Sequence, residues 1–325
     1  MTHRLLKTPI RLAGWLFAAA LIAPAQQVNV GRPGMINYTE GQVSLDGTEV
    51  AYNAVGRAAV APGEVLQTAD GRAEMLLTPG VFLRMDHNTA VKMVDPSLID
   101  TQVELQQGTA LVEVDQVARE NHLNVVTGGV TTQLTKKGIY QFQANPGLLF
   151  VYDGEAVVAQ NDRSIEVKKG HTLALGTPEV KTQKFDRDQA SALYDWSKLR
   201  AEYVAEANAA SAQMIVVDNP AWYMGTGWYW NPWYDSWAFV PGMGYIASPF
   251  GLGFGFYSPV YWTSYVAPYY GFRGPVYRGR VPLGYHAAAP GPRFAGPRMS
   301  AAPAMRGGFG GHIGGFGGHI GGRGR

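Results

Sequence analysis

The feature that most constrains the fold is a series of short strand-like runs between Val65 and Leu175, separated by glycine-containing turns. In the run VFLRM at 81–85, Phe82 and Arg84 lie on the opposite face from the three aliphatic residues, as in a half-buried strand of period two. Such runs recur about every ten residues, a spacing typical of all-β folds. The series therefore predicts a mainly β domain built as a solenoid, a sandwich or a barrel.

The segments on either side of this series have patterns of their own. Three runs between Met35 and Tyr52 indicate a hairpin-like opening. Downstream, Asp186 can cap a helix that ends near Met214, because the segment is rich in alanine and contains no glycine or proline. Its apolar stripe favours packing on its own domain over pairing with another helix. That stripe comprises Leu193, Trp196, Leu199 or Arg200, Tyr203, Ala207 and Ala210.

Several strings in the β region resemble the FecR domain. They are VLQTADGRAEMLL at 65–77, LRMDHNTAV at 83–91, VELQQGTA at 103–110 and LFVYDGEAV at 149–157. The resemblance implies a FecR-like β-solenoid or sandwich with no catalytic signature. Founding FecR-type regulators carry an anti-sigma helical segment and a membrane span ahead of this domain, and here we expect only a signal peptide. The resemblance therefore implies an extracytoplasmic module of unspecified ligand rather than direct capture of a sigma factor.

The N-terminus has the pattern of an export signal. Basic residues at Arg4, Lys7 and Arg11 precede an apolar run, and the sequence Ala-Pro-Ala ends at Ala25. We expect cleavage after Ala25. A retained anchor is the alternative, but about 12 apolar residues fall short of the ~20 that span a bilayer. The sequence thus predicts a mature chain with no transmembrane helix, exported to the periplasm, the cell envelope or the exterior. The chain has no cysteine, so its fold must be stable without disulfides.

Charge is distributed unevenly along the chain. Between Gln26 and Asp235 there are 16 Lys or Arg against 25 Asp or Glu, a net charge of −9, whereas the chain from Ser236 onward has eight Arg, no Lys and no acid. The split indicates an acidic folded body and a basic tail. Those arginines either keep the tail soluble or bind an acidic surface.

The segment at 220–272 is rich in Trp, Tyr, Pro and Gly, with 20 aromatic residues among the 51 from Trp222 to Phe272. Its strings WYWNP and SPFG are similar to those of acidobacterial-type FecR-domain exports. Trp and Tyr suit protein hot spots, membrane interfaces and sugar stacking. The alternative is that these rings fold back and cover the β domain. We single out five tryptophans as candidate partner contacts: Trp222, Trp228, Trp230, Trp233 and Trp237.

The segment at 273–325 is dominated by Arg, Gly and Pro and repeats GGFGGHI. It has too few apolar residues to offset chain entropy, which predicts disorder. Its Arg-Gly-Gly string is similar to RNA-binding segments, but export argues against nucleic acid. His312 and His319 are too few to form a structural metal site.

No pattern indicates catalysis. The chain lacks the HExxH, GxSxG and GK[ST] patterns, Asp86-His87 is typical of a surface turn, and Asp153 and Glu155 fit a turn and a strand start. We therefore predict a non-enzymatic protein without cofactor or metal.

Together these patterns predict an exported bacterial module that binds an envelope or membrane protein and acts as an accessory in extracytoplasmic signalling. A structural surface or matrix protein and a glycan-binding module are the alternatives. The predicted parts are a signal peptide at 1–25, an N-terminal β extension at 26–64, a FecR-like β domain at 65–180, a helix at 185–215, the aromatic segment at 220–272 and the tail at 273–325.

Overall fold

The structure is a computed structural model that describes residues 31–117, 120–218, 227–240, 244–256 and 262–268. The predicted signal peptide, the tail at 273–325 and Trp222 lie outside these residues. Within them the chain is mainly β with one helix, as the sequence predicts.

Fifteen strands form one large sheet, and six further elements follow it. The strands of the sheet are β1 Ile36–Leu45, β2 Thr48–Glu49, β3 Val65–Leu76, β4 Val81–Met85, β5 Ala90–Asp95, β6 Asp100–Gln107, β7 Thr109–Val114, β8 His122–Thr127, β9 Val130–Leu134, β10 Gly138–Gln143, β11 Leu148–Asp153, β12 Glu155–Gln160, β13 Arg163–Lys168, β14 His171–Ala174 and β15 Gln183–Lys184. The later elements are α1 Ala192–Asp218, β16 Gly227–Asn231, β17 Ser236–Val240, β18 Gly244–Ala247, β19 Leu252–Phe256 and β20 Trp262–Pro268.

The long strand β3 divides the sheet into two halves. The strand order runs β13-β12-β9-β8-β6-β5 on one side of β3 and β4-β7-β10-β11-β14-β15 on the other. The first residues of β3 pair with β5 and its last residues pair with β4, so β3 belongs to both halves. All described pairs are antiparallel except β6 with β8. The sheet does not close into a barrel, because β13 and β15 end it.

Aliphatic side chains from both halves pack into one core, so the two halves face each other as in a sandwich. The chain passes between halves at tight corners. At Gly154 φ is +92°, and a Cβ there would collide with the Tyr140 hydroxyl. That hydroxyl stabilises the corner, because it donates to the Lys136 carbonyl at 2.5 Å and accepts from the Glu155 backbone N–H at 3.1 Å.

The strand at 81–85 shows where the sequence expectation has to be corrected. The alternation is as predicted, with Val81, Leu83 and Met85 in the main core. However, Phe82 and Arg84 are buried as well, so β4 is covered on both faces rather than half-buried. The reason is a second layer of chain, made of α1 and the β16–β17 hairpin, that packs on the outer face of this half of the sheet.

Helix α1 begins later than the sequence predicts. The Asp186 carboxylate accepts from the Asp188 backbone N–H at 3.0 Å in a turn, and the helix begins at Ala192. The Ser191 hydroxyl caps it by accepting from the Tyr194 backbone N–H at 3.1 Å. The predicted packing of the helix on its own domain is confirmed, because Leu193 and Trp196 are buried against β7, β10 and β11.

Candidate partner-binding surface

The β16–β17 hairpin carries four of the five tryptophans singled out from the sequence. Trp228 and Trp237 are fully buried, and Trp230 is partly buried against Trp237 with the ring centroids 5.6 Å apart. Trp233 lies at the hairpin tip and is 64% exposed. Trp228 and Trp237 therefore anchor the hairpin, Trp230 is intermediate in burial, and Trp233 faces solvent.

The buried rings fill the outer face of the sheet. Trp228 lies edge-on to Phe82 at 4.9 Å and contacts Phe239 at 5.6 Å between ring centroids. Trp237 donates its indole N–H to the Gly56 carbonyl at 3.1 Å, which satisfies its polar group in the interior. As this hairpin stands, neither Trp228 nor Trp237 can meet a partner.

Side-chain amides fix the hairpin to its neighbours. Asn37 of β1 accepts from the Trp237 backbone N–H at 2.7 Å, and Asn208 of α1 accepts from the Phe239 backbone N–H at 2.6 Å. Asn231 donates to the Ala207 carbonyl at 3.2 Å and accepts from the Trp233 backbone N–H at 3.0 Å. The backbone that carries the exposed Trp233 is thus tied to the helix through the Asn231 side chain.

Two exposed aromatic rings lie at the hairpin tip, and a third, Tyr52, reaches it through Asp235. Tyr234 follows Trp233 and is 41% exposed, and Tyr52, from the 3-10 turn Tyr52–Ala54, is 79% exposed. The Tyr52 hydroxyl lies 3.5 Å from the Asp235 carboxylate, which joins two segments far apart in sequence. We call Tyr52, Trp233, Tyr234, Asp235 and the neighbouring Glu206 the tip surface.

The tip surface is acidic. Partial burial raises the pKa of Tyr234, and the negative charge of Glu206 raises it further. Glu206 of α1 precedes Ala207, whose carbonyl accepts from Asn231 of the hairpin at 3.2 Å. Asp235 and Glu206 are both exposed. Neither forms an ion pair with a Lys, Arg or His of the described part of the chain. The surface therefore offers flat apolar faces beside carboxylates that pair with no cation of the described residues.

Beneath the hairpin and helix lies a chain of buried ion pairs, which we call the charged seam. Glu74 accepts from Arg84 at 2.7 Å and from Arg200 of α1 at 2.8 Å, and Arg84 donates to Glu113 at 2.6 Å. Asn37 also donates to Glu74, at 2.8 Å. The seam links β1, β3, β4, β7 and α1. A buried charge without a partner destabilises a fold strongly, so these elements depend on one another for their pairing.

The seam shifts the ionisation of its members. Burial alone would raise the pKa of Glu74, but Arg200 and Arg84 outweigh it and lower the value to about 2. Burial would lower the pKa of Arg84, but Glu113 and Glu74 outweigh it and raise that pKa. Asp115, just after β7, is different: burial and then the nearby Glu113 carboxylate raise its pKa well above 3.8.

The open ends of the large sheet are poor sites for strand addition. The terminal strand β13 carries exposed charged residues, among them Glu166 and Lys168, whose side chains pair at 3.0 Å. The other terminal strand, β15, and the short β2 have two residues each. Charged or very short edge strands are the usual protection against pairing with another chain.

The residues that might have indicated chemistry lie at the surface of the sheet. Asp86 pairs with Arg72 at 2.9 Å, while His87 lies 3.5 Å from Asp70, so Asp86-His87 is a turn at the surface, as predicted. His122 contacts Asp100 at 2.6 Å. In the described ranges, no three His, Cys, Asp or Glu residues form a group that could hold a metal ion.

Sequence reasoning identified Trp233 but missed Tyr52, Asp235 and Glu206. Tyr52 and Asp235 are 183 residues apart, and no local pattern encodes that contact. A local signal was present for the hairpin tip itself, since the Asn-Pro pair at 231–232 is typical of a turn.

Comparison with known proteins identifies the β region. The family model described as FecR protein matches residues 64–170, which span β3 to β13, so this part of the chain is a FecR domain. Two solved structures of a candidate anti-sigma factor from Parabacteroides distasonis are similar at 12% and 11% identity, each with a TM-score of 0.34. The likeness covers 38% of this chain and 61% of the length of those chains. No curated protein matches the sequence.

Among the described residues, no helix combines the length and hydropathy needed to cross a membrane.

Proposed function

We propose that this chain is an exported, non-enzymatic FecR-type module that binds another component of the bacterial cell envelope and serves as an accessory in extracytoplasmic signalling. The observation that carries the proposal is the tip surface. Trp233 and Tyr234 follow a backbone that Asn231 ties to α1, and Tyr52 meets the same hairpin at Asp235. Exposed aromatic residues on a fixed backbone lose little conformational entropy when they bind.

The tip surface suits recognition better than the sheet edges do. Strand addition needs a long strand with free backbone groups, and β13 is charged while β15 and β2 are short. Contact through the aromatic rings at the tip needs no free strand edge. We therefore assign partner contact to Tyr52, Trp233 and Tyr234, while Trp228, Trp230 and Trp237 hold the hairpin on the FecR domain.

A glycan-binding module is the second candidate. Stacking on sugars requires two or three rings in a fixed arrangement with a polar group beside them, and Tyr52, Trp233 and Tyr234 beside Asp235 have those elements. We rank it below protein recognition, because the two exposed carboxylates favour a charged partner over a neutral sugar. The structural surface protein stays a third candidate, which would act through the aromatic and Gly-rich half.

The experiment is crosslinking and co-purification from intact envelopes with the full chain. One variant combines Tyr52→Ser, Trp233→Ser and Tyr234→Ser. The matched control combines Leu98→Ser and Ile99→Ser, which are 50% and 57% exposed in the β5–β6 turn. We expect the unaltered chain and the control to capture the same discrete membrane or signalling protein and the tip variant to lose it. Equal capture by all three would exclude the tip as the contact.

A further inference from the structure

The tip surface has the composition of an arginine site without an arginine. Its rings offer faces that attract a cation, and its two carboxylates, Asp235 and Glu206, have no cationic partner in the described part of the chain. A guanidinium could stack on a ring and bond a carboxylate at the same time.

The same fold already holds three arginines in this way, among them Arg84, which lies over the Phe82 ring at 5.4 Å and bonds Glu74 at 2.7 Å. Arg200 lies over the Tyr38 ring at 4.1 Å and bonds Glu74 at 2.8 Å. Arg72 lies over the Trp196 ring at 5.5 Å and bonds Asp86 at 2.9 Å. In each place a ring and a carboxylate together fix one guanidinium, and the tip surface presents this combination outward.

The sequence contains the complementary partner. All eight arginines after Ser236 lie in the segment at 273–325, which has no Asp or Glu, whereas the chain from Gln26 to Asp235 has a net charge of −9. Glycine makes up much of that segment, so little side-chain bulk separates an arginine from a surface.

We propose that the tip surface binds arginine side chains of the 273–325 segment of a second copy of this chain. The inference goes beyond the proposed function, because it names a self-association, and it rests on the same surface. Such a contact is heterologous, since the tip of one copy meets the tail segment of the next. It therefore produces chains or rings whose size grows with concentration rather than a closed two-fold dimer.

Two defective proteins test the contact in the full-length chain. The tip variant combines Trp233→Ala and Asp235→Asn, and the tail variant replaces the eight arginines of 273–325 by Gln. Light scattering and sedimentation should show the unaltered chain growing with concentration and each variant monomeric. An equimolar mixture should form a one-to-one complex, because one protein keeps the tip and the other keeps the arginines.

The controls separate charge, fold and partner. Asp162→Asn is the matched control for Asp235→Asn, because both residues are exposed turn aspartates with positive φ, and it should associate like the unaltered chain. Raising the salt from 50 to 500 mM should weaken the association tenfold or more, since screening shortens to a few ångströms. Replacement of the eight arginines by Lys should retain only part of the affinity.

A mixture of the two variants that stays monomeric would overturn the inference, as would growth of the tip variant equal to that of the unaltered chain. The two proposals fail separately. If the tail variant still captures an envelope protein while the mixture stays monomeric, only the self-association is wrong. If the variants pair but the tip captures no envelope protein, only the proposed function is wrong.

Discussion

The two faces of the strands β4 and β7 hold the fold together by different means. Their inner faces are aliphatic, with Leu83 and Val112 in the main core. Their outer faces carry Arg84 and Glu113, which are equally buried but paired in the charged seam. The inner face needs only suitable volume, whereas the outer face needs a specific partner for each charge. The contrast indicates that the inner face makes the FecR domain fold and the outer face selects the helix and hairpin that cover it.

Removal of the hairpin that covers the outer face, with helix α1 left in place, should produce the largest effect on this contrast. A chain that ends at Asn219 loses Trp228, Trp237 and Phe239, and each buried aromatic residue is worth about 3–5 kcal/mol in a domain whose free energy of unfolding is about 5–15 kcal/mol. The division of the sequence into a β domain and a separate aromatic segment would imply that such a truncation spares folding. The burial of these rings reverses that expectation, and circular dichroism should show that the cooperative melting transition is lost.

A chain that ends at Phe272 is the control, because it keeps the hairpin and should melt cooperatively. Cooperative melting of both shortened chains at the temperature of the full chain would mean that the hairpin contributes nothing to folding.

Breaking the charged seam should have the next largest effect. Arg84→Ala leaves Glu74 and Glu113 buried without their shared cation, and we expect the free energy of unfolding to fall by about 3–5 kcal/mol. Denaturant unfolding measures the change. Lys136→Ala, which removes an ion pair with Glu155 at the surface, should leave the free energy of unfolding almost unchanged, because solvent screens an exposed pair. An equal loss in free energy of unfolding for the two variants would contradict the assignment of Arg84 to the buried charged seam.

Loss of the Asn231 hydrogen bonds beneath the tip should cost less. Asn231→Ala removes the bonds to the Ala207 carbonyl and the Ser211 hydroxyl, and we expect a loss of about 1–3 kcal/mol. Because the Trp233 backbone is also released, partner capture should weaken more than stability does. The exposed Gln106→Ala should change the free energy of unfolding by less than about 0.5 kcal/mol. Unchanged capture by the Asn231 variant would show that the tip needs no fixed backbone.

The smallest expected effect is a dependence on pH at the end of the seam. The folded-state pKa of Asp115 lies well above 3.8, so its protonated form stabilises the fold at low pH, and that contribution is lost as pH rises above 3.8 towards the folded value. Asp115→Asn removes this loss. Denaturant midpoints should therefore favour the variant over the unaltered chain increasingly as pH rises.

Glu74→Gln should show the opposite dependence. The pKa of Glu74 is lowered to about 2, so its contribution is present above 4.5 and is lost as pH falls towards 2. The cost of Glu74→Gln should accordingly be largest above pH 4.5 and shrink below it. The same trend with pH in both variants would contradict the two opposite shifts.

The sequence predicts the parts of the fold that depend on local pattern. The alternation at 81–85, the turn glycines such as Gly154 and the FecR strings identify the β domain and the correct inner face of β4. The helix was also predicted, although Ser191 rather than Asp186 caps it. These features depend on residues that are neighbours in the sequence, so they can be predicted from the sequence alone.

The cover and the tip depend on contacts between distant residues. Arg84 alternates with apolar residues in the manner of a solvent-facing side chain, and only Glu74, Glu113 and the helix above them make it interior. Tyr52 belongs to the tip only because the hairpin brings Asp235 beside it. In the sequence, a tryptophan that anchors the hairpin looks the same as one that contacts a partner. Only burial in the fold shows which role each tryptophan can take.

Radical footprinting of the chain in intact envelopes, compared with the purified chain, tests the central claim most directly. The claim is that the tip surface, displayed on a FecR domain by a buried hairpin, is what a partner meets. We predict that oxidation of Tyr52, Trp233 and Tyr234 falls in the envelope, while Trp228 and Trp237 are protected in both samples. Tip rings that oxidise equally in both samples, with protection elsewhere on the FecR domain, would contradict the claim.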